Sequence, residues 1–168
     1  LDVTDPGTIA AARSELDGRG LDGLVNNAGV AVSGPIEFIP LDDLRQQLEV
    51  NLVGQVAVIQ AFLPNLREAK GRIVNVSSIG GRIALPMVGP YAASKFGLEA
   101  VSDALRRELH SHGVDVIVIE PGGVKTPIWR KGDELASELA EGMPPEAERL
   151  YGSLIAALRR ETTKIATE

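Results

Sequence analysis

The period of the apolar residues changes several times along this chain, and each change marks an element. Asp5-Pro6 opens a helix, with Asp5 as N-cap and Pro6 at the first helical position. That helix is expected to run to about Leu16, ahead of Gly18 and Gly20. Residues 21–26 form a short apolar strand ending at Asn27-Ala28-Gly29, and a loop with Gly34, Pro35 and Pro40 follows. Over 41–69 the apolar residues fall at helical spacing: Leu41, Leu44, Leu48, Leu52, Val56, Ile59, Leu63 and Leu66. Asp42 and Asp43 sit near the start of this helix, where its dipole favours anions, and Gly71 stops it. Residues 72–77, with Ile73, Val74 and Val76, predict a second strand. Gly80-Gly81 and Pro86 mark a loop, and a second long helix is predicted over 90–112, closed by Gly113 as C-cap. Residues 114–120 predict a third strand, halted by Pro121-Gly122-Gly123. The rest is polar, Ala-rich and helical, in two pieces broken at 142–145. The opening Leu-Asp-Val-Thr-Asp reads as the end of a further strand entering the first helix.

Three strands joined by helical crossovers predict an α/β fold with a doubly wound parallel sheet. Right-handed crossovers that add strands in one direction place the connecting helices on one face. The strands are apolar enough to need cover on both faces, and only the C-terminal helices are available for the second. A length of 168 residues fits one domain, with a core over 1–130 and a helical region over 131–168. A composition 44% hydrophobic and 24% charged is that of a globular chain, and a net charge of -6 argues against nucleic acid as partner. There is no apolar run long enough to span a membrane, no basic-then-apolar leader and no cysteine, so a cytoplasmic location is expected.

Candidate chemistry gathers at the predicted strand ends. Tyr91 and Lys95 lie one helical turn apart and project from the same face. A phenol has a pKa near 10, and a neighbouring ammonium lowers it towards the range useful for proton transfer to an alcohol or ketone oxygen. Ser78 follows the second strand at the carboxyl edge of the sheet, where open α/β folds bind ligands. Its hydroxyl either holds a substrate oxygen or bonds the local backbone. Asn51 interrupts the apolar stretch 48–53, either as a satisfied core amide or as a functional group. Asn27-Ala28-Gly29 permits close backbone approach to a ligand, although a bare turn explains it as well. Pro121-Gly122, with Thr126 soon after, ends the third strand in the same way. His110 and His112 lie at a helix end and, like Arg159-Arg160, read as solvated surface, and no spacing suggests a metal site. The apolar loop 79–90 either lines a pocket for a lipophilic alcohol or ketone or simply packs.

Taken in order and spacing, Asn26-Asn27-Ala28-Gly29, Asn51, Ser78, Tyr91-Ala92-Ala93-Ser94-Lys95 and Pro121-Gly122 with Thr126 resemble the classical short-chain dehydrogenase/reductase family over residues 1 to about 130. The resemblance implies a Rossmann-type sheet and an oxidoreductase that moves a hydride between NAD or NADP and an alcohol or ketone. It implies Tyr91 as acid/base, Lys95 as the group that lowers its pKa and bonds the nicotinamide ribose, and Ser78 rather than Ser77 as holder of the substrate oxygen. It implies that Asn51 holds a water relaying protons towards Lys95. Asn27, Ala28 and Gly29 are then expected at the adenosine side of the cofactor cleft, Asp2 and Val3 at the adenine, and Pro121, Gly122, Val124 and Thr126 at the nicotinamide. The helices 41–69 and 90–112 are expected to form a homo-oligomer interface. The family's glycine-rich pyrophosphate turn and its last strand find no counterpart in these 168 residues, so the chain is expected to be the central part of the fold. The alternative is a non-catalytic relative that acts as an oligomerising or partner-binding module.

Overall fold

The computed structural model describes residues 1–167, leaving aside the side chains of 161 and 164–167. Its elements are α1 (Pro6–Ser14), β1 (Gly23–Asn26), α2 (Leu41–Leu48), a π-helical turn (Glu49–Val53), α3 (Gly54–Ala69), β2 (Arg72–Val76), α4 (Gly89–Leu109), β3 (Asp115–Ile119), α5 (Pro127–Gly142) and α6 (Pro145–Thr167). Short 3₁₀ turns occupy Ile36–Phe38, Ile79–Gly81 and His110–His112. The three strands form one parallel sheet in the order β1-β2-β3, with Asn26 beside Asn75 and Asn75 beside Val118.

Local chemistry explains the ends. The Asp5 carboxylate accepts from the Gly7 N–H at 2.7 Å and caps α1, which stops at Ser14, short of the expected Leu16. Gly113 closes the second long helix in the left-handed conformation, at φ 72°. At the end of α3 the left-handed residue is Lys70, at φ 50°. Gly71 is needed for a different reason: a Cβ there would lie 2.2 Å from the Leu21 carbonyl oxygen. The opening residues 1–5 form a turn rather than a strand end, with Asp2 accepting from the Thr4 N–H and hydroxyl.

One face of the sheet carries the core. Ile73 and Val116 pack with Val58, Ile59, Phe62 and Leu66 of α3, Ile9 of α1, and Leu109. The same face carries polar residues near the strand ends. Asn26 donates to Asn75 at 3.0 Å, Asn75 to the Ser102 hydroxyl at 2.8 Å, and Ser102 to the Leu98 carbonyl at 2.6 Å. The chain of amides and hydroxyls is buried and joins β1, β2 and α4.

The opposite face is bare, and the C-terminal helices, the one cover the sequence offered it, do not lie over it. Val25, Ile117 and Ile119 are 63%, 41% and 46% exposed. Instead α5 and α6 pack on each other, and Tyr151 of α6 reaches the 3₁₀ turn near residue 37, donating to Glu37 at 2.7 Å and meeting Phe38 edge-on. Among the described residues no helix is long and apolar enough to cross a membrane.

Two glycines test how this packing is built. Gly71→Ala drives a methyl into backbone atoms and is expected to cost about 3 kcal/mol or more. Gly142→Ala meets open space, as no atom lies within 4 Å, and should change stability by no more than about 0.5 kcal/mol. Urea denaturation of both variants checks the pair.

Candidate functional site

The site grows from the carboxyl ends of the three strands. The Ser77 N–H donates to the Ile119 carbonyl at 2.8 Å and the Ile79 N–H to the Pro121 carbonyl at 3.0 Å. These two bonds extend the β2–β3 pairing beyond the sheet and bring Pro121-Gly122 beside Ser78. α4 then crosses the strand ends. Its start at Gly89 puts Tyr91 in the first turn, where the helix dipole favours negative charge on a side chain. Lys95, one turn on, is buried, and its ammonium donates to the Val76 carbonyl at 2.8 Å. The ammonium lies 5.8 Å from the centre of the Tyr91 ring.

Ser78 caps the 3₁₀ turn after β2 and its hydroxyl accepts from the Gly80 N–H at 3.0 Å. Gly80 is a close-approach residue: a Cβ there would sit 3.1 Å from the Tyr91 ring. Ser77 points into the fold, and its hydroxyl is buried without a hydrogen-bond partner among the described residues. Both serines line the cavity at the strand ends, and it is the Ser78 side chain that pulls the Tyr91 phenol down.

A cavity of about 320 Å³ brings together Asn27, Gly29, Ser78, Tyr91, Lys95, Pro121, Gly122, Val124 and Thr126. Four of the expected residues, Ala28, Asn51, Asp2 and Val3, do not line this cavity, and of these Asp2 and Val3 were expected at the adenine end rather than here. Ala28 turns its carbonyl to Gln55, which donates to it at 2.6 Å. Asn51 sits fully buried in the π-helical turn, accepting from the Val30 N–H at 2.9 Å and donating to the Val30 carbonyl at 2.9 Å and the Ser94 hydroxyl at 3.2 Å. Its side chain bonds neither Lys95 nor Tyr91; it ties the exit of β1 to α4. Asp2 lines a separate surface depression with Arg45 and Glu49, and Val3 belongs to the core.

Sequence reasoning missed Gln47 and Gln55. Gln47 is fully buried, accepts from the Val32 N–H at 2.6 Å and donates to the Val30 carbonyl at 2.9 Å. Gln47, Asn51 and Gln55 are spaced by four residues, which on a plain α-helix turns each side chain by about 40° from the last. The wider π turn, closed by the Gly54 N–H on the Glu49 carbonyl, brings all three to bear on 28–32. Three amides at one spacing along the helix were the signal. Trp129 was also missed. It lines the cavity beside Thr126, and its indole N–H donates to the Val124 carbonyl at 2.9 Å.

Burial dominates the electrostatics. It raises the Tyr91 phenol above its ordinary value, and the Ser78 hydrogen bond pulls the other way. The lowering expected from Lys95 is not among the influences on the phenol. Burial also lowers the Lys95 ammonium to about 8, against the opposing pull of the Glu99 carboxylate. The remaining N–H groups of Lys95 and the backbone-lined turns at 27–29 and 121–122 suit a polyhydroxylated group such as a ribose. The cavity has room for the nicotinamide and ribose end of a dinucleotide.

Two predictions follow from this geometry. Asn51→Ala leaves the Val30 N–H and carbonyl without their partner and should destabilise the fold by about 2–3 kcal/mol in urea denaturation. For Lys95, the ammonium is charged below about pH 8 in both folded and unfolded chains, and folding carries its full desolvation cost there. From about 8 to 10.5 the folded lysine has lost its proton and the unfolded one has not, so stability rises with pH. Relative to Lys95→Met, the wild type should therefore gain roughly 2–3 kcal/mol across that window, measured as unfolding free energies.

The family profile described as short chain dehydrogenase matches residues 1–136. Short-chain dehydrogenase/reductase family 9C member 7 of Bos taurus is 46% identical over 159 residues, covering 90% of this chain and 50% of that protein. The 17-beta-hydroxysteroid dehydrogenase type 6 of Bos taurus is 45% identical over 159 residues, with the same coverage of 90% and 50%. The chain thus spans about half the length of these curated relatives. A gluconate 5-dehydrogenase from Burkholderia cenocepacia J2315, solved with NADP and tartrate, superposes with a TM-score of 0.73 at 29% identity over 77% of this chain and 52% of that one. A profile match across four-fifths of the sequence agrees with the parallel sheet and with the Tyr91–Lys95 turn, and the chain belongs to the short-chain dehydrogenase family.

Proposed function

We propose that this chain carries the proton-transfer half of an oxidoreductase that passes a hydride between NAD or NADP and a lipophilic alcohol or ketone. The observation that carries the reading is the single cavity shared by Tyr91, Ser78 and Lys95 at the strand ends. Ser78 and Tyr91 bracket the position of a substrate oxygen. Burial keeps the Tyr91 phenol protonated at neutral pH, which suits a group that gives its proton to a ketone oxygen. In the reverse direction the same phenolic oxygen takes the alcohol proton. Lys95 stands ready to bond the ribose and stabilise the phenolate, and Asn27, Gly29, Pro121, Gly122, Val124 and Thr126 would wall the cofactor. A nicotinamide bound there would supply or accept the hydride. The role of Asn51 in this scheme is to hold the β1 exit in place through Val30.

The lipophilic class is supported by an apolar lining beneath α5 and α6, from Met87, Val88, Ala136, Met143, Ile155 and Leu158, around a space of about 40 Å³ that has to widen to take the body of such a substrate. It adjoins the cavity through Trp129, which lines both. This division suits residues 1–130 as the catalytic core and 131–168 as the substrate-loop region of one domain. The relative that acts on hydroxysteroids agrees in substrate class. Homo-oligomerisation through 41–69 and 90–112 belongs to the same proposal, supported by Val53 and Phe96, which are 49% and 44% exposed on those helices. Cytoplasmic residence belongs to it too, since a cysteine-free chain needs no oxidising compartment.

The test uses the protein with whatever sequence flanks these residues in the cell. Oxidation of NADH or NADPH with steroid-like and retinoid-like carbonyl compounds is expected, and Tyr91→Phe should lower kcat/KM by about 10³-fold with the fold intact. Turnover unaffected by Tyr91→Phe, or none with any carbonyl compound or alcohol, would overturn the proposal.

A further inference from the structure

Lys95 is a buried cation whose ammonium donates to the neutral Val76 carbonyl, and that leaves its charge to be balanced elsewhere. Its neighbour one turn along the same face is Glu99. Glu99 is 6% exposed, a rare state for a carboxylate without a full set of partners. Its Oε2 lies 3.1 Å from Arg82. Its Oε1 is buried with no hydrogen-bond partner among the described residues. Arg82 is in turn held from the far side by Glu120 at the end of β3, through bonds of 3.2 and 2.9 Å. The approach is close enough that a Cβ on Gly81 would meet Glu99 Oε1 at 3.2 Å. A buried, half-satisfied carboxylate costs free energy. An anion retained at that cost, one turn from a buried cation, acts on it through a medium that screens weakly.

We propose that Glu99, clamped by Arg82 and Glu120, is a positioning residue that keeps Lys95 protonated and directed at Val76 and Tyr91. The inference rests on the reading of Lys95 as part of the site. The titratable groups facing Lys95 are Tyr91 and Glu99 on its own helix, and Glu99 in turn faces Arg82 after β2, which Glu120 after β3 and Asp103 also approach. β2 offers it the Val76 carbonyl, and the turn after β1 brings Asn27 to the same cavity. Glu99 and Arg82 therefore set the local field with opposite signs.

The experiment follows the ε-carbon resonance of Lys95 through a pH titration of ¹³C-lysine-labelled protein, assigned with Lys95→Met. Only five lysines are present, which keeps the spectrum simple. Glu99→Gln should lower the Lys95 midpoint by about one pH unit, and Glu99→Asp should restore part of the shift. Arg82→Gln, at a half-exposed position, should move it the other way. If Glu99 only ties α4 to the loop, both substitutions lower Tm and leave the midpoint where it was, which overturns the proposal. Should Glu99→Gln fail to fold, an unmoved midpoint in Arg82→Gln overturns it equally. The pH dependence of kcat/KM is read alongside. A resonance that shifts while the pH–rate profile stays put supports the link between Glu99 and Lys95, and it is the role of Lys95 in catalysis that then fails.

Discussion

The hydrogen bonds from Gln47, Asn51 and Gln55 to the exit of β1 are the constraint on which the cavity depends. A strand that ends in Asn27-Ala28-Gly29 has little side chain with which to anchor itself. The adjoining helix does the anchoring, and its π turn sets the three amides against 28–32. Without the turn the same residues would spiral away from the loop. The glycine-containing turn is thereby held in place at the edge of the cavity. Asn51 extends the tie to Ser94 on α4, so the helix bearing Tyr91 and Lys95 is registered against the same loop.

A second theme is the price of burial. Tyr91 and Lys95 are both drawn towards their neutral forms by the surroundings, the phenol upward and the ammonium downward. The two shifts have one physical origin, the exchange of water for α4, β2 and the loop after β3. They differ in what opposes them: a neutral hydroxyl from Ser78 for the phenol, a carboxylate from Glu99 for the ammonium. The site's behaviour with pH is therefore set as much by groups behind the cavity as by those lining it.

The helical region beyond 126 packs against the loops at the strand ends rather than against the sheet. α5 and α6 leave Val25, Ile117 and Ile119 uncovered and pack instead over the loops at 31–35 and 87–88. Trp129 separates the polar cavity from the apolar pocket there. One wall thus meets two environments, a polar cavity on one side and a small apolar space on the other.

Periodicity and turn chemistry determined the elements, their order and the parallel sheet, because crossover helices between short apolar strands leave few topologies. The spacing of Tyr91 and Lys95 and the strand-end positions of Ser78, Asn27 and Pro121-Gly122 likewise placed the cavity, since carboxyl ends of parallel strands lie together. Tertiary structure alone decided what these groups feel. The π turn depends on the loop that Asn51, Gln47 and Gln55 meet, and no helical pattern reveals that loop. The turn at 1–5, where a strand end was expected, rests on contacts between Asp2 and Thr4 that the strand-like composition concealed. The pairing of Glu99 with Arg82 joins residues from different elements, and the rise of the Tyr91 pKa follows from burial, which depends on every neighbour at once. Period along a chain is a local property and can be read there. Solvation and charge at a buried point are sums over the folded surroundings, and they exist only once those surroundings have assembled.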